Sequence, residues 1–510
     1  MARRRRGGLS AREAMHAKRA APLDVNPAPP GPVGGQYRPL SDADVSRILD
    51  AALEILATIG MGEAPPVLVE QACSAGAAYG DDARLRFPRS LIEDTVAGAA
   101  RRFVLPGRDP STDIEVGGDR VYFGTGGAAV QTLDLDTQTY RASTLADLHD
   151  FTRLIDALPN VSWFTRCCVA TDVEDTLALD RQTAFALLCN TGKPVGTSFT
   201  LAEHVDPIVD MFDYALGGDG AFRRRPFCKA HISPVISPLR FGEDAVDVAI
   251  ACMRRGVIIN NIVAAQSGAT SPATLAGMLA TTLAETLAAL AMVNVFEPGY
   301  PMIFSNWPLV IDLRTGAFAG GGGEIALLNA ASAQLSNHLG LPSGAACSMS
   351  DAKAIDAQMG MEKALSAAAV GLAGCNMVYE SSGMTASLLG ASFEAFVLDN
   401  DMLGNVYRVM RGVEVNDDTL SLDAIREAVF GEGHFLGGQQ TLDAMQRDYF
   451  YPKIADRDEP RTWAQNGAQD AWSRAREEAR HILAEHRPVP LPTAVERALR
   501  SELGLPEQSG

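Results

Sequence analysis

Apolar and polar residues alternate in blocks along most of this chain. From about residue 144 onward, short apolar runs are separated by helix-length segments that are amphipathic or rich in alanine. Because helices would separate the apolar runs, the pattern predicts an α/β fold with a parallel sheet covered on both faces. Residues 144–415 fit a (β/α)8 barrel, and a doubly wound open sheet is the alternative. Seven runs are predicted strands: 161–170, 194–200, 227–236, 257–265, 301–310, 343–351 and 375–383.

The pattern does not show which segment forms the eighth strand of this barrel. Residues 120–144 alternate in polarity and are rich in β-branched residues, which predicts a β-hairpin. The eighth strand could come from this segment or from the region after Phe393. The fragment GTGGAA, residues 124–129, precedes a strand and not a helix, so it does not predict a dinucleotide site.

Further segments flank the predicted barrel. Residues 36–143 are predicted to contain helices and the hairpin, and residues 416–510 a charged helical extension. Residues 1–35 are rich in glycine, proline and alanine and contain the basic block Arg3–Arg6. This composition predicts a disordered arm.

Composition and charge argue against several classes of protein. The net charge of −18 argues against nucleic acid as the main partner, because phosphate binding requires a basic surface. No apolar signal segment follows the arginines. The most apolar helix, residues 271–293, contains Glu285 and is predicted to lie in the core and not in a membrane. The eight cysteines form no CxxC pair, which favours a reducing cytoplasm over a disulfide or zinc framework.

The ends of the predicted strands carry the candidate chemistry. In a (β/α)8 barrel, side chains at the carboxyl ends of the strands converge on one mouth, where active sites lie. They combine aromatic rings, amides and a few charges, with neither a metal-ligand spacing nor a Ser-His-Asp order. These residues are Arg166, Phe199, His231, Asn260, Asn261, Asn306, Trp307, 347–353, Tyr379 and Glu380.

Several of these residues also have a structural interpretation. Trp307 and Tyr379 could pack in the core, and His231 could be a structural histidine. Cys347 could be a small buried apolar residue. Asp351 could cap the helix that follows it.

Residues 320–384 carry the most specific motif of the chain. Their sequence, GGGGEIALLNAASAQLSNHLGLPSGAACSMSDAKAIDAQMGMEKALSAAAVGLAGCNMVYESSGM, resembles the trimethylamine:corrinoid methyltransferase family. The segments 431–445 and 449–463 are similar to the end of family members, and the resemblance runs from about residue 38 to 485. The matching motif positions are Pro342, Ser350, Asp351, Lys353, Asp356, Gln358, Gly360 and Glu362.

This resemblance implies a (β/α)8 barrel that moves a methyl group from a methylated amine to the cobalt of a corrinoid (cobalamin) on a separate protein. The chain itself would bind no cofactor, its partners would be the small amine and the corrinoid protein, and a homo-oligomer is compatible with it. The predicted catalytic residues are Cys347, Met349, Asp351, Lys353 and Gln358. The predicted substrate-binding residues are Phe199, His231, Asn260, Trp307, Tyr379, Glu380 and Arg166.

One departure from the family bears on the substrate. Members that use trimethylamine carry pyrrolysine just ahead of the Ser/Thr-Asp-Ala/Ser-Lys segment, where this chain has only standard residues, with Cys347, Ser348 and Met349 nearest. A protonated tertiary amine must lose its proton before methyl transfer, whereas a quaternary amine has none and needs only aromatic faces around its charge. We therefore expect a quaternary amine such as glycine betaine, with trimethylamine or another methylamine as the alternative.

Two other functions remain open from the sequence. A lysine-dependent aldolase or lyase would use Lys353 as a Schiff-base lysine, and a non-catalytic barrel would only bind betaines or a corrinoid protein. A second departure concerns Gln440, where relatives more usually have histidine.

Overall fold

Eight parallel strands form the centre of the protein. The computed structural model describes residues 26–436 and 438–506. Neighbouring strands pair in the order β1-β8-β7-β6-β5-β4-β3-β2. In chain order these are β1 Tyr122–Phe123, β2 Phe164–Thr165, β3 Val195–Thr197, β4 Cys228–Ile232, β5 Ile259–Val263, β6 Met302–Asn306, β7 Ser343–Ala346 and β8 Met377–Tyr379.

The two ends of this sheet meet, so the sheet closes into a barrel. The Ser162 N–H donates to the Phe123 carbonyl at 2.8 Å, and Ala129 and Cys168 form a parallel bridge just beyond β1 and β2. The predicted (β/α)8 architecture is thereby confirmed. The eighth strand is β1, which opens the segment predicted to be a hairpin, so the barrel begins before residue 144.

Short antiparallel pairs surround the barrel. The predicted hairpin is formed by Gln131–Leu133 and Tyr140–Ala142. Two further strands, Met384–Thr385 and Gly390–Ser392, extend it to a four-stranded sheet. The other pairs are Ala78–Tyr79 with Leu85–Arg86, Arg102–Leu105 with Ile114–Gly117, and Val235–Ile236 with Arg240–Phe241.

Helices cover the barrel and form both flanks. Those that follow the barrel strands are Leu145–Asp156, Thr176–Asn190, Val205–Ala215, Ala221–Arg224, Glu243–Arg255, Leu275–Phe296, Gly323–His338, Ala357–Leu372 and Phe393–Arg411. Before the barrel lie Asp42–Glu54, Pro66–Ser74 and Arg89–Gly98. After it lie Asp417–Leu420, Leu422–Phe430, Gln439–Arg447, Pro460–Gln465, Ala471–Glu485 and Thr493–Glu502.

The apolar helix Leu275–Phe296 lies inside the protein. It is long and apolar enough to cross a membrane, but 78% of its most apolar window is buried within the fold. Its Glu285 accepts hydrogen bonds from the Ser237 hydroxyl and the Leu239 N–H, both at 2.7 Å. Because two donors satisfy the carboxylate, it is tolerated in the interior, and the helix belongs to the core as predicted.

The described part of the predicted N-terminal arm packs on the barrel. Residues 26–35 are extended, and Gly31, Gly34 and Gly35 donate backbone hydrogen bonds of 2.8–3.0 Å to the carbonyls of Val121, Asp119 and Leu372. The structure therefore differs from the predicted disorder over these ten positions, because neighbouring backbone carbonyls satisfy the chain. The basic block Arg3–Arg6 lies outside the described residues.

Alternation along the strands creates two apolar regions. Side chains that point outward join the main core between strands and helices. Side chains that point inward form a second cluster that fills the barrel. The pair Arg102–Leu105 and Ile114–Gly117 adds Leu105, Ile114 and Val116 to this second cluster. The inward cluster carries the candidate chemistry.

Candidate active site

Five large side chains lie inside the barrel, from Trp163 just before β2 to Trp307 just after β6. We call Trp163, Lys229, His231, Trp307 and Tyr379 the inner cluster. The Tyr379 ring centroid lies 5.3 Å from those of Trp163, His231 and Trp307, and the His231 and Trp307 centroids are 5.6 Å apart. Three predicted substrate-binding residues, His231, Trp307 and Tyr379, are thus brought together.

Glycine at three interior positions leaves room for large neighbours. A Cβ atom on Gly124 would lie 2.1 Å from the indole of Trp163, and one on Gly196 would lie 2.6 Å from Lys229 Nζ. A Cβ atom on Gly344 would lie 2.0 Å from Ser305 Oγ. Such contacts overlap, so the inner cluster depends on glycine at positions with no side chain of their own.

Lys229 is fully buried and has few partners. Its Nζ donates to Thr165 Oγ1 at 2.6 Å and lies 5.2 Å from the Tyr379 centroid and 5.7 Å from the Trp163 centroid. Burial lowers the pKa of Lys229 to about 7. Burial, with Lys229 and Arg166 nearby, also holds the pKa of His231 well below its usual range, so this imidazole is neutral.

Glu380 follows β8 and lies against the glycine-rich segment after β1. A Cβ atom on Gly126 or Gly127 would lie 2.8 Å from its carboxylate oxygens, which explains the glycines of the GTGG fragment. Burial raises the pKa of Glu380 to about 8, although Lys363 and Arg166 oppose this. Its Oε2 has no hydrogen-bond partner among the described residues.

Several donors that face the barrel interior are also unpaired. The indole N–H groups of Trp163 and Trp307 and the Nδ2 of Asn260 have no partner within the described part of the chain. Asn260 Oδ1, in contrast, accepts a hydrogen bond from Ser305 Oγ. Arg166 donates to Ser198 Oγ at 3.3 Å, and burial lowers its pKa. The interior therefore offers hydrogen-bond donors in excess of acceptors.

Asp351 ties three loops together beside the barrel mouth. Its carboxylate accepts hydrogen bonds from the N–H groups of Gly320 and Gly321, at 2.8 and 3.1 Å, and from Ser387 Oγ at 2.8 Å. The glycine run ahead of helix Gly323–His338 is thus held by a carboxylate of the protein itself. The contacts of Asp351 thus connect the glycine run, its own loop and the loop that contains Ser387.

Glu362 completes the same arrangement. It accepts hydrogen bonds from Ser350 Oγ, the Asp351 N–H and Gln358 Nε2, at 2.7–2.8 Å. Asp356 caps the helix Ala357–Leu372 by accepting from two backbone N–H groups. We call Ser350, Asp351, Gln358, Glu362 and Ser387 the loop network; within it, the polar side chains satisfy one another.

Two predicted catalytic residues lie at the surface. Lys353 is exposed, and its Nζ donates to the carbonyl of Asp351 in its own loop at 2.7 Å. Gln358 is exposed as well and donates to Glu362. Neither residue joins the inner cluster, because the chain has left the barrel before it reaches them. A Schiff-base role for Lys353 gains no support from this placement.

Strand alternation also determines which of the remaining predicted residues face into the barrel and which face outward. Cys347 and Phe199 belong to the main core outside the barrel, and burial raises the pKa of the Cys347 thiol well above its usual range. Met349 belongs to the inward cluster that contains Trp307 and Tyr379. Cys347 and Phe199 thus lie outside the inner cluster, since one residue along a strand reverses the direction of the side chain. Their roles in the reaction stay predictions.

Two further positions from the sequence lie elsewhere. Asn261 and Asn306 alternate with inward-facing Asn260 and Trp307, so both face outward from the barrel. Gln440 is exposed on helix Gln439–Arg447 and donates to Ser421 Oγ at 2.9 Å. The departure at Gln440 thus lies on the C-terminal extension.

Sequence analysis missed Trp163 and Lys229. The signal for Lys229 was present, because it stands two residues before His231 on one strand, and such residues share a face. Trp163 stands two residues before Thr165, the partner of Lys229. Across the residues 26–436 and 438–506, no group of three or more His, Cys, Asp or Glu side chains could hold a metal ion.

Comparison with known proteins identifies relatives over nearly the whole chain. The family model described as trimethylamine methyltransferase (MTTB) matches residues 4–503. Trimethylamine methyltransferase MttB of Desulfitobacterium hafniense (strain DSM 10664 / DCB-2) is 31% identical over 462 residues, which cover 90% of this chain and 92% of that protein. Glycine betaine methyltransferase of Desulfitobacterium hafniense (strain Y51) is 28% identical over 470 residues, covering 91% and 96%.

Among solved structures, the monomethylamine methyltransferase MtmB of Methanosarcina barkeri aligns with a TM-score of 0.49 and 14% identity. The alignment covers 94% of this chain and 92% of that chain.

Proposed function

Because this chain belongs to the trimethylamine methyltransferase family, we propose that it moves a methyl group from a quaternary amine, such as glycine betaine, to the cobalt of a corrinoid on a separate protein. It is a methyltransferase. The single observation that supports the quaternary substrate is the inner cluster, in which His231, Trp307 and Trp163 surround Tyr379 with centroids 5.3 Å away.

The chemistry of a quaternary amine fits this interior. When the C–N bond breaks, its electron pair stays on nitrogen, so a neutral tertiary amine leaves and no proton is needed. The methyl carbon forms its new bond with the electron pair of Co(I) on the partner. Aromatic faces attract the cationic nitrogen in the ground state. The neutral imidazole of His231 adds a ring without adding positive charge.

The chain contributes binding, orientation and exclusion of water. Tyr379 is fully buried and Trp307 nearly so, whereas His231 is half-buried and marks the approach to the interior. Holding one methyl group in line with its acceptor could lower the barrier by as much as about 7–11 kcal/mol. The loop network fixes the glycine run and residues 350–351 beside this approach.

The surroundings of the reaction follow from the same proposal. A corrinoid protein that must reach the Co(I) state suits a reducing cytoplasm, as do the eight free cysteines. Within this proposal the barrel holds the amine, and its partner is the corrinoid protein.

A cobalamin assay tests the proposed function. The purified protein is mixed with cob(I)alamin, or with a corrinoid protein reduced to Co(I), and the Co(I) absorbance is followed with glycine betaine, choline, tetramethylammonium and trimethylamine. We expect Co(I) to be lost with glycine betaine and not with trimethylamine. The opposite result contradicts the substrate assignment. Betaine binding without any loss of Co(I) would identify a non-catalytic binding protein instead.

Trimethylamine remains a second candidate because of Glu380. Burial raises the pKa of this carboxyl to about 8, and one of its oxygens has no described partner, so above pH 8 the ionised carboxylate could take a proton from a bound trialkylammonium. Methyl transfer from trimethylamine that is lost in Glu380→Gln, while transfer from glycine betaine is unchanged, would favour this candidate.

A further inference from the structure

Among the described residues, the interior of the barrel has more unpaired hydrogen-bond donors than unpaired acceptors. On its inward face the indole N–H groups of Trp163 and Trp307 and the amide Nδ2 of Asn260 are buried donors without a described partner. A buried donor without a partner is costly, and such atoms in native structures usually receive their partner from water or a ligand. Donors in excess call for a ligand with acceptors.

The charges of the interior point the same way. Lys229 has one hydrogen-bond partner, the Thr165 hydroxyl, so two of its three N–H bonds remain for another acceptor. No carboxylate of the described residues forms an ion pair with it, in contrast to most buried lysines. Arg166 lies at the same end of the barrel, next to Thr165, and donates to a hydroxyl. A substrate with positive charge alone would meet repulsion from Lys229 and Arg166, which Glu380 offsets only when its carboxyl, with a pKa raised to about 8, is ionised.

Strand geometry orders these groups by depth. Lys229 lies two residues before His231 on β4, which places it about 7 Å deeper in the barrel. Its ammonium group lies beside both the Trp163 and the Tyr379 rings, 5.7 and 5.2 Å from their centroids, whereas the His231 and Trp307 rings contact Tyr379 from residues nearer the mouth. A ligand with an anionic end and a cationic end would therefore turn its anionic end toward Lys229 and its cationic end toward the mouth.

We propose that Lys229 is the carboxylate-binding residue of the substrate site, supported by the indole N–H of its neighbour Trp163, and that it selects zwitterionic betaines over quaternary amines without a carboxylate. This inference rests on the proposed function. The carboxylate lies deep in the barrel at Lys229. The trimethylammonium group lies against the His231, Trp307 and Tyr379 rings and points its methyl groups toward the mouth, from which an acceptor must approach.

Calorimetric titration of the whole chain with glycine betaine, choline and tetramethylammonium tests the proposal without any methyl transfer. We expect the wild type to bind glycine betaine more tightly than choline. Lys229→Met, which keeps length and removes charge, should weaken glycine betaine binding at least about tenfold. Choline and tetramethylammonium should bind the variant as well as the wild type or better. Lys229→Gln, which keeps N–H donors, should fall between the two.

Matched controls keep the result interpretable. Lys453→Met makes the same substitution at a lysine whose side chain is 69% exposed on the C-terminal extension, and it should leave all three affinities unchanged. Circular dichroism confirms that each variant is folded. The proposal is overturned if both Lys229 variants keep the wild-type preference for glycine betaine, or if the wild type binds none of the three ligands. Methyl transfer by the wild type with an unchanged preference in the variants would overturn this inference and leave the proposed function intact.

Discussion

Lys229 and Lys363 are both buried lysines, and their surroundings differ in one respect. Lys363 Nζ lies 3.1 Å from Asp399 Oδ2 and donates to the Ser348 carbonyl at 2.7 Å. Lys229 has a single hydroxyl partner and two ring faces. A buried ion pair is costly to break, because removing one partner leaves the other charge uncompensated, whereas a buried charge without a partner is costly until a ligand supplies one.

The same contrast separates the loop network from the inner cluster. In the loop network, each carboxylate of Asp351 and Glu362 accepts several hydrogen bonds from the protein. In the inner cluster, two indole N–H groups have no described partner. The protein itself satisfies the carboxylates of the loop network, whereas the inner cluster keeps donors that a ligand could satisfy.

The largest effect should come from breaking the satisfied pair. Lys363→Met leaves Asp399 buried without its cation, so we expect the free energy of unfolding to fall by roughly 3–5 kcal/mol. Denaturant unfolding measures the change. Adding Asp399→Asn, which keeps an acceptor for the Gly383 N–H, should recover part of the loss. A single variant as stable as the wild type would remove the scaffold role of this pair.

At Lys229 we expect the same substitution to raise the free energy of unfolding instead of lowering it. Below pH 7 the lysine is charged in both the folded and the unfolded protein, so the wild type bears the full burial penalty, and Lys229→Met should be more stable by about 1–3 kcal/mol. Between pH 7 and its ordinary value of 10.5, the unfolded chain binds more protons than the folded one. Wild-type stability should therefore rise with pH across this window relative to the variant, and the difference should shrink.

Urea titrations of both proteins at several pH values measure this difference. A gap that stays constant from pH 6 to pH 10, or a variant less stable than the wild type at pH 6, would contradict the unsatisfied state of Lys229.

A smaller effect is expected where rings hold the substrate. Trp307→Leu removes one face from the inner cluster, so glycine betaine should bind more weakly by about 0.5–2 kcal/mol. Calorimetry measures it, with Trp463→Leu on the C-terminal extension as the matched control. An unchanged affinity in Trp307→Leu would assign Trp307 to packing, its structural interpretation.

The smallest effects should come from the exposed motif residues. Lys353→Met and Gln358→Ala alter solvent-exposed side chains, so each should change the free energy of unfolding by less than about 0.5 kcal/mol and preserve methyl transfer. Loss of methyl transfer in Lys353→Met, measured by the Co(I) absorbance, would show that this lysine takes part in the reaction. Function would then not be confined to the inner cluster.

The sequence predicted the barrel because alternating apolar runs and helices leave few other arrangements. It also predicted His231, Trp307 and Tyr379 at the mouth, since strand ends converge there. It also predicted Cys347 and Phe199 at the mouth, whereas both side chains join the main core. A shift of one residue reverses the face of a strand, and the boundaries of an apolar run do not determine that register. The sequence did not decide which segment forms the eighth strand, because β1 has only two residues and so shows no alternation of apolar and polar positions.

What the sequence alone determined was the kind of protein: a parallel barrel with a family motif in residues 320–384 and aromatic residues at its strand ends. Only the tertiary structure decided which polar groups have partners. Asp351 and Lys229 are both charged residues in or beside barrel strands, yet contacts from distant segments satisfy the first and not the second. Hydrogen-bond partners come from residues far apart in the chain, so local pattern cannot reveal which donors remain free for a substrate.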